Sequence, residues 1–313
     1  MHSFADSRKF PATLALLATL GASLAAASTQ AALPNPPAKA TVADVIKASK
    51  AAEWRPLDPD NTLYMELPAG RVVIELAPAF APKHAANIRT LVRDHYFDGL
   101  AVLRSHDNYV AQWGDPDEKN PRPFKNAKAK LEGEFTVPMA NDQQFTLLPD
   151  RDGYAPQVGH ANGFPSGRDP KTGRAWLAHC YGMVGVGRDV DSDSANGSSL
   201  YAVTGHAPRH LDRNITVVGR VVAGMPLLSS LPRGTGPLGF YDQPEQQVPI
   251  TSVRLAADVP EAERSKLEVM RTDSASFKAV TEAQRNRGGP WTKVAAGYIE
   301  LCNVTIPVRE QGK

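Results

Sequence analysis

The sequence predicts a mainly β fold of antiparallel strands with a few short helices, and three observations carry that expectation. Residues 63–76 hold two alternating runs, YMEL and RVVIEL, joined by a Gly-containing turn. Residues 182–187 (GMVGVG) and 250–255 (ITSVRL) repeat the strand pattern late in the chain. Helical periodicity falls at 41–53, 81–93 and 260–285, so the expected helices flank the strand runs.

Taken in order, the chain opens with an export signal. Arg8 and Lys9 form a short positive region, and residues 12–27 (ATLALLATLGASLAAA) are apolar and small. That run is too short and too Ala-rich for a comfortable membrane span and reads as a signal peptide over residues 1–32. Cleavage is expected after Ala27 or a few residues later, near Ala31 or Ala32, which implies a periplasmic or secreted protein without a stable membrane anchor. Pro34, Pro36 and Pro37 then mark a linker, and residues 33–60 are expected to hold it together with one short helix. That helix falls at 41–53, where Thr41 caps and Val42, Val45 and Ile46 recur at helical spacing. After the 63–76 hairpin, residues 81–93 (APKHAANIRTLVR) read as a short amphipathic helix. Residues 117–181 are rich in Pro, Gly, Asn and Asp. A C-terminal extension, 258–313, shows a helical pattern over 260–285 through Leu267, Met270, Phe277 and Val280, then a strand over 295–308.

Composition excludes several functions. The 313 residues are 42% hydrophobic and carry a formal net charge of +2, enough apolar material for a core and no basic excess. No Lys/Arg run tracks phosphates, so no nucleic-acid role is expected. Asp189, Asp191 and Asp193 sit like a calcium loop, but Ser194 occupies the place of its glycine and Leu200 that of its closing glutamate. No histidine pair has metal-ligand spacing on a convincing helix, no G-x-S-x-G elbow is present, and GVGRDVD lacks the third glycine of a dinucleotide loop. Neither metal nor cofactor is expected. Cys180 and Cys302 are the only cysteines; export would favour one disulfide between them, with two separate thiols as the alternative.

The most informative stretch is 99–116, GLAVLRSHDNYVAQWGDP, followed downstream by 196–219, NGSSLYAVTGHAPRHLDRNITVVG. With the hairpin and the 81–93 helix before them, these blocks resemble the cyclophilin family of peptidyl-prolyl cis-trans isomerases. That family shows an APKTVxNF-like helix, a FHRVI…FMIQGGDP block and an NGSQFFI block in this order. The resemblance implies a closed antiparallel β-barrel capped by short helices over 61–257. It places a long insertion at about 117–181, in which LEGEF (131–135) matches a family piece and 142–176 is an excursion near the active-site face. It also implies isomerisation of Xaa-Pro bonds in proline-containing client polypeptides, without a cofactor.

Site residues carry over position by position. Arg104 stands at the catalytic arginine, and Gln112 at the glutamine that orients the substrate backbone. Tyr109, Val110, Tyr201 and Leu211 fall at the proline pocket, while Gly187, Arg188 and Ser199 fall at positions that bind the flanking peptide. An arginine suits the reaction because it cannot lose its proton and offers several donors in a fixed fork. Departures are numerous: Leu103 replaces histidine, Trp113 a glycine, Ser199 a glutamine, and Gly187–Arg188 an Ala-Asn pair. His210 takes the place of an aromatic, and Ile215 that of a histidine. These leave open a non-catalytic peptide-binding or chaperone module, favoured by Leu103, Trp113 and Ser199 as Arg104 and Gln112 favour the enzyme.

Overall fold

The computed structural model describes residues 40–312 except 118, 143 and 290; the expected export signal lies outside them. The first described element, α1 (Val42–Ala48), starts where Thr41 accepts a hydrogen bond from the Asp44 backbone N–H and the Asp44 carboxylate accepts one from that of Thr41. Two of the N–H groups at the helix start are thus satisfied reciprocally. A short strand, β1 (Trp54–Pro56), follows and leads to the hairpin of β2 (Thr62–Leu67) and β3 (Gly70–Leu76). Next comes α2 (Pro82–Arg93), whose N-terminal Ala81 has no side chain to cap it. Glu134, in the LEGEF piece, supplies the acceptor: its carboxylate takes the Lys83 and His84 N–H groups at 3.0 and 2.9 Å.

Two strands then carry the 99–116 block, β4 (Ala101–Ser105) and β5 (Val110–Gly114). Five more come from the insertion: β6 (Val137–Pro138), β7 (Thr146–Leu148), β8 (Gln157–Ala161), β9 (Phe164–Asp169) and β10 (Arg174–Leu177). The chain returns through β11 (Met183–Val186), β12 (Leu200–Val203), β13 (Val217–Ala223), the short α3 (Met225–Ser229), β14 (Val248–Pro249) and β15 (Ser252–Leu255). It closes with β16 (Leu267–Met270), α4 (Ala275–Arg285) and β17 (Val308–Glu310).

The principal sheet is wholly antiparallel in the order β14-β4-β5-β12-β11-β13-β3-β2-β15. Its two edges, β14 and β15, are successive pieces of one segment, so the sheet curls until it meets itself. Inside lie Leu63, Met65, Ile74, Trp113 and Val184, closed off by Ile88 and Leu91 of α2.

The insertion forms a five-stranded sheet, β6-β10-β9-β8-β7. Its β8–β9 turn is Asn162–Gly163, both at positive φ (53° and 86°), the two-residue geometry whose twist suits a tight hairpin. A third sheet, β1-β16-β17, joins the N-terminal segment to the extension. Together these pieces bury a second core of Trp54, Phe80, Trp176, Phe277 and Leu301.

The extension departs from the expected helical pattern at 260–285 and strand at 295–308. Leu267 and Met270 lie on β16, because β1, more than two hundred residues earlier, offers it an edge; the helix is limited to α4. Residues 295–307 contain Gly297 at φ 65° and a 3₁₀ turn, Leu301–Asn303, which leaves only Val308–Glu310 as strand. Cys180 and Cys302 are joined, tying the segment before β11 to that turn across 122 residues. Closing so long a loop stabilises a fold by about 5 kcal/mol in the chain-entropy treatment.

Candidate active site

Register places the site residues in one row across four strands. Arg104 on β4 faces Gln112 on β5, Gln112 faces Tyr201 on β12, and Tyr201 faces Gly185 on β11. Alternation sends this row to the outside of the barrel. The neighbouring Ala111 and Trp113 point inward, and Trp113 is 1% exposed within the barrel core. The sequence offered no reason for a tryptophan after Gln112; its reason is core packing on the opposite face of the strand.

Each guanidinium nitrogen of Arg104 has a partner. Nε donates to the Leu238 carbonyl at 2.7 Å, one terminal nitrogen to Gln112 Oε1 at 2.9 Å and the other to His106 Nδ1 at 3.0 Å. Because arginine can only donate, His106 accepts through Nδ1 and is neutral there. Partial burial, followed by the Arg104 charge, holds the His106 imidazole below its usual range. The Arg104 group also lies 5.2 Å from the Phe240 ring centroid and 5.6 Å from that of Tyr109. These three bonds occupy three of its five N–H groups, and among the described residues two are left for a ligand.

Gln112 is oriented in turn: its Nε2 donates to Ser199 Oγ at 3.0 Å. Ser199 owes its place to the preceding turn, where Gly197 at φ 93° packs so closely on α2 that a Cβ would lie 2.5 Å from Ile88. Asn196 anchors that turn by donating to the Lys128 and Ala129 carbonyls, both at 3.1 Å. A Cβ on Gly187 would stand 2.8 Å from Ser199 Oγ and 3.1 Å from Gln112 Nε2. Two departures from the resembled pattern, Gly187 and Ser199, therefore fit against each other.

Beside the row lies an apolar cluster of Val110, Tyr201 and Val203, with Tyr109 and Ile215 packed on it. Of the expected pocket residues, Tyr109, Val110 and Tyr201 thus come together. Leu211 lies on the 3₁₀ turn Arg209–Leu211, and its carbonyl accepts from the Ile215 N–H at 3.1 Å; Ile215 is the residue that joins the cluster. Arg188 follows Gly187 in the chain, but its side chain is spent on the Asn214 and Val190 carbonyls at 3.0 and 2.9 Å. His106, Leu238 and Phe240 escaped the sequence reading. His106 had a local signal, two residues after Arg104, whereas Leu238 and Phe240 arrive from a distant segment whose Phe240 bridges to Arg104.

A curled antiparallel barrel bearing an arginine–glutamine pair beside an apolar, aromatic-walled patch defines the class of prolyl isomerases. Residues 62–255 match the family model described as cyclophilin type peptidyl-prolyl cis-trans isomerase/CLD. A "probable peptidyl-prolyl cis-trans isomerase" of Brucella suis biovar 1 (strain 1330) is 30% identical over 179 residues, 57% of this chain and 74% of the relative. The crystal structure of the cyclophilin AquaCyp293 from Hirschia baltica superposes with a TM-score of 0.66 at 26% identity. That match covers 87% of this chain and 97% of the other, well beyond the stretch the family model takes in. The chain belongs to the cyclophilin-type peptidyl-prolyl cis-trans isomerase family.

Proposed function

We propose that the protein isomerises Xaa-Pro bonds of exported polypeptides after its own export, with Arg104 as the catalytic donor and no covalent step or cofactor. The observation that carries this reading is the Arg104 fork, fixed by Gln112, Leu238 and His106 with two N–H groups to spare. Amide resonance sets a barrier of about 20 kcal/mol to rotation about the prolyl bond. As the bond twists, conjugation is lost and the prolyl nitrogen regains a lone pair, which can accept a hydrogen bond from a guanidinium N–H. A donor held in place before the reaction stabilises that state without reorganising, while the planar ground state offers it no such lone pair. Gln112 holds the fork and can bond the substrate backbone, and the Tyr109, Val110 and Tyr201 cluster supplies an apolar wall for the pyrrolidine ring.

A protease-coupled isomerase assay on Xaa-Pro tetrapeptides tests the activity. Arg104→Ala is expected to lower kcat/KM on the order of a hundredfold, equivalent to about 2–4 kcal/mol, with peptide affinity changed far less. Arg104→Lys should also be poor, because an ammonium cannot serve Gln112, Leu238 and His106 together. A wild-type protein that binds proline peptides without rate enhancement would instead be a peptide-binding module. Export is tested by the mass of protein recovered from the cell envelope, expected to begin between Ser28 and Pro34; an intact Met1 would refute it.

A further inference from the structure

The row that carries Arg104 and Gln112 ends at Gly185, and the ring of Tyr201 crosses the space a side chain there would fill. A Cβ on Gly185 would lie 2.3 Å from the ring and its hydroxyl. Passing over this gap, the Tyr201 hydroxyl comes 3.0 Å from His179 Nε2, with the two rings nearly parallel at 15°. On its far side His179 meets Asp212: its Nδ1 and its backbone N–H stand 3.0 and 2.9 Å from the same carboxylate oxygen. Burial works against the Asp212 charge, but the bond from His179 and the Arg209 cation outweigh it and hold the carboxyl below the usual range. A carboxylate only accepts, so the His179 proton is on Nδ1 and Nε2 is left as an acceptor for the tyrosine. The other Asp212 oxygen takes Arg209 Nε at 2.6 Å, and the two terminal Arg209 nitrogens fork onto Asp152 of the insertion at 2.9 and 3.1 Å. The side chains of His179, Asp212, Arg209 and Asp152 are all 3% exposed or less.

We propose that His179 is a positioning residue for the proline pocket: it commits the Tyr201 hydroxyl inward, so that the ring presents a fixed apolar face to the substrate. Asp212, Arg209 and, from the connection between β7 and β8 of the insertion, Asp152 fix His179 in turn. This rests on Tyr201 serving as a pocket wall in the reading above. Burial raises the Tyr201 phenol well above its ordinary value, so the group stays a neutral donor and needs an acceptor. Without His179 that acceptor lies outward, in water or on the ligand, and the ring must turn into the pocket to reach it. A wall serves the ground and twisted states alike, so the loss falls on KM and spares kcat.

The test combines kinetics with a measurement on the unaltered protein. His179→Leu is expected to raise KM at least fivefold with kcat within twofold, whereas His179→Gln, whose amide oxygen can replace Nε2, should stay within twofold of wild type on both. In a Tyr201→Phe background, which has no hydroxyl to hold, His179→Leu should change KM by less than twofold. Independently, the side-chain nitrogen resonances of His179 in isotopically labelled wild type, assigned through His179→Gln, should shift on titration with an Ala-Pro tetrapeptide, with the midpoint of peptide binding. If His179→Leu does not fold, that titration decides. A silent His179 at peptide saturation, or a His179→Leu protein with lowered Tm and unchanged KM, overturns the proposal. Either result with an active wild type leaves the isomerase reading standing, and an inactive wild type sinks that reading itself.

Discussion

Gly187→Ala adds one methyl group to the site and, in the proposed roles, disarms it at second hand. The Gly187 φ lies outside the left-handed region, so alanine meets no backbone strain, and reduced freedom of the unfolded chain favours the variant by about 0.4–1 kcal/mol. The new Cβ, however, would stand 2.8 Å from Ser199 Oγ and 3.1 Å from Gln112 Nε2. The cheapest relief is for the serine hydroxyl to change rotamer, which leaves the Gln112 amide without the acceptor it holds at 3.0 Å. A released Gln112 then holds Arg104 less firmly through its 2.9 Å bond. Each bond contributes about 1 kcal/mol net, so losing one or both costs about 1–2 kcal/mol of transition-state stabilisation, roughly a 5- to 30-fold fall in kcat/KM. The protease-coupled assay reads that loss, and a thermal melt should show Tm unchanged or slightly lowered, because the lost bond offsets the gain from the stiffer unfolded chain. Ser199→Ala removes the displaced hydroxyl, and in that background Gly187→Ala should cost less than twofold. A fully active Gly187→Ala, or one equally impaired with and without Ser199, would refute the coupling.

Two further outcomes follow from burial. Trp113→Ala should destabilise the barrel by about 3–5 kcal/mol, the usual cost of emptying a large aromatic site, in chemical unfolding; kcat/KM per folded molecule should stay within a few-fold, and a selective loss of activity would contradict the inward orientation. His160 is buried, and desolvation followed by the charge of Arg220 lowers its pKa to about 3. The native state therefore refuses a proton that the unfolded state takes up below about 6.5. Its neutral form carries no pH-dependent penalty above that pH, and stability declines as pH falls from 6.5 towards 3. Relative to His160→Leu, wild type should lose about 3 kcal/mol between pH 6.5 and pH 4 in urea titrations, at about 1.4 kcal/mol per pH unit; parallel curves for the two proteins would show that His160 takes up its proton in the fold.

Where neighbours in sequence decide the structure, the chain could be read directly. The 63–76 hairpin and the helix that became Pro82–Arg93 depend on periodicity and short spacing, while Arg104 and Gln112 were legible through the resemblance of the 99–116 block to the family. Asn162–Gly163 was a legible hairpin signal inside the insertion, hidden by the surrounding Pro and Gly. Other features depend on partners remote in sequence. Leu267–Met270 is a strand because Trp54–Pro56 pairs with it, and Arg104 finds its third partner at Leu238. Nor does a motif reveal which face of a strand a substitution occupies, and so Trp113 counted as a defect of the site until register turned it inward.

That change of face bears on the choice between an enzyme and a groove that only binds. Of the three departures that favoured the binder, Trp113 belongs to the core, and Ser199 accepts the bond that orients Gln112, in room left by Gly187. At Leu103 the contribution to the site's surroundings is made by the backbone: its carbonyl accepts from the Tyr241 N–H at 3.0 Å, within the segment that also brings Leu238 and Phe240 to Arg104. A binding groove has no use for a guanidinium fixed at all three nitrogens. Holding a long, flexible cation so firmly costs about 2 kcal/mol of rotamer freedom, and that cost is offset where a donor must already be in place when a twisted amide appears. Substitutions that keep the fork while changing what surrounds it are those expected of an isomerase rebuilt around one retained group.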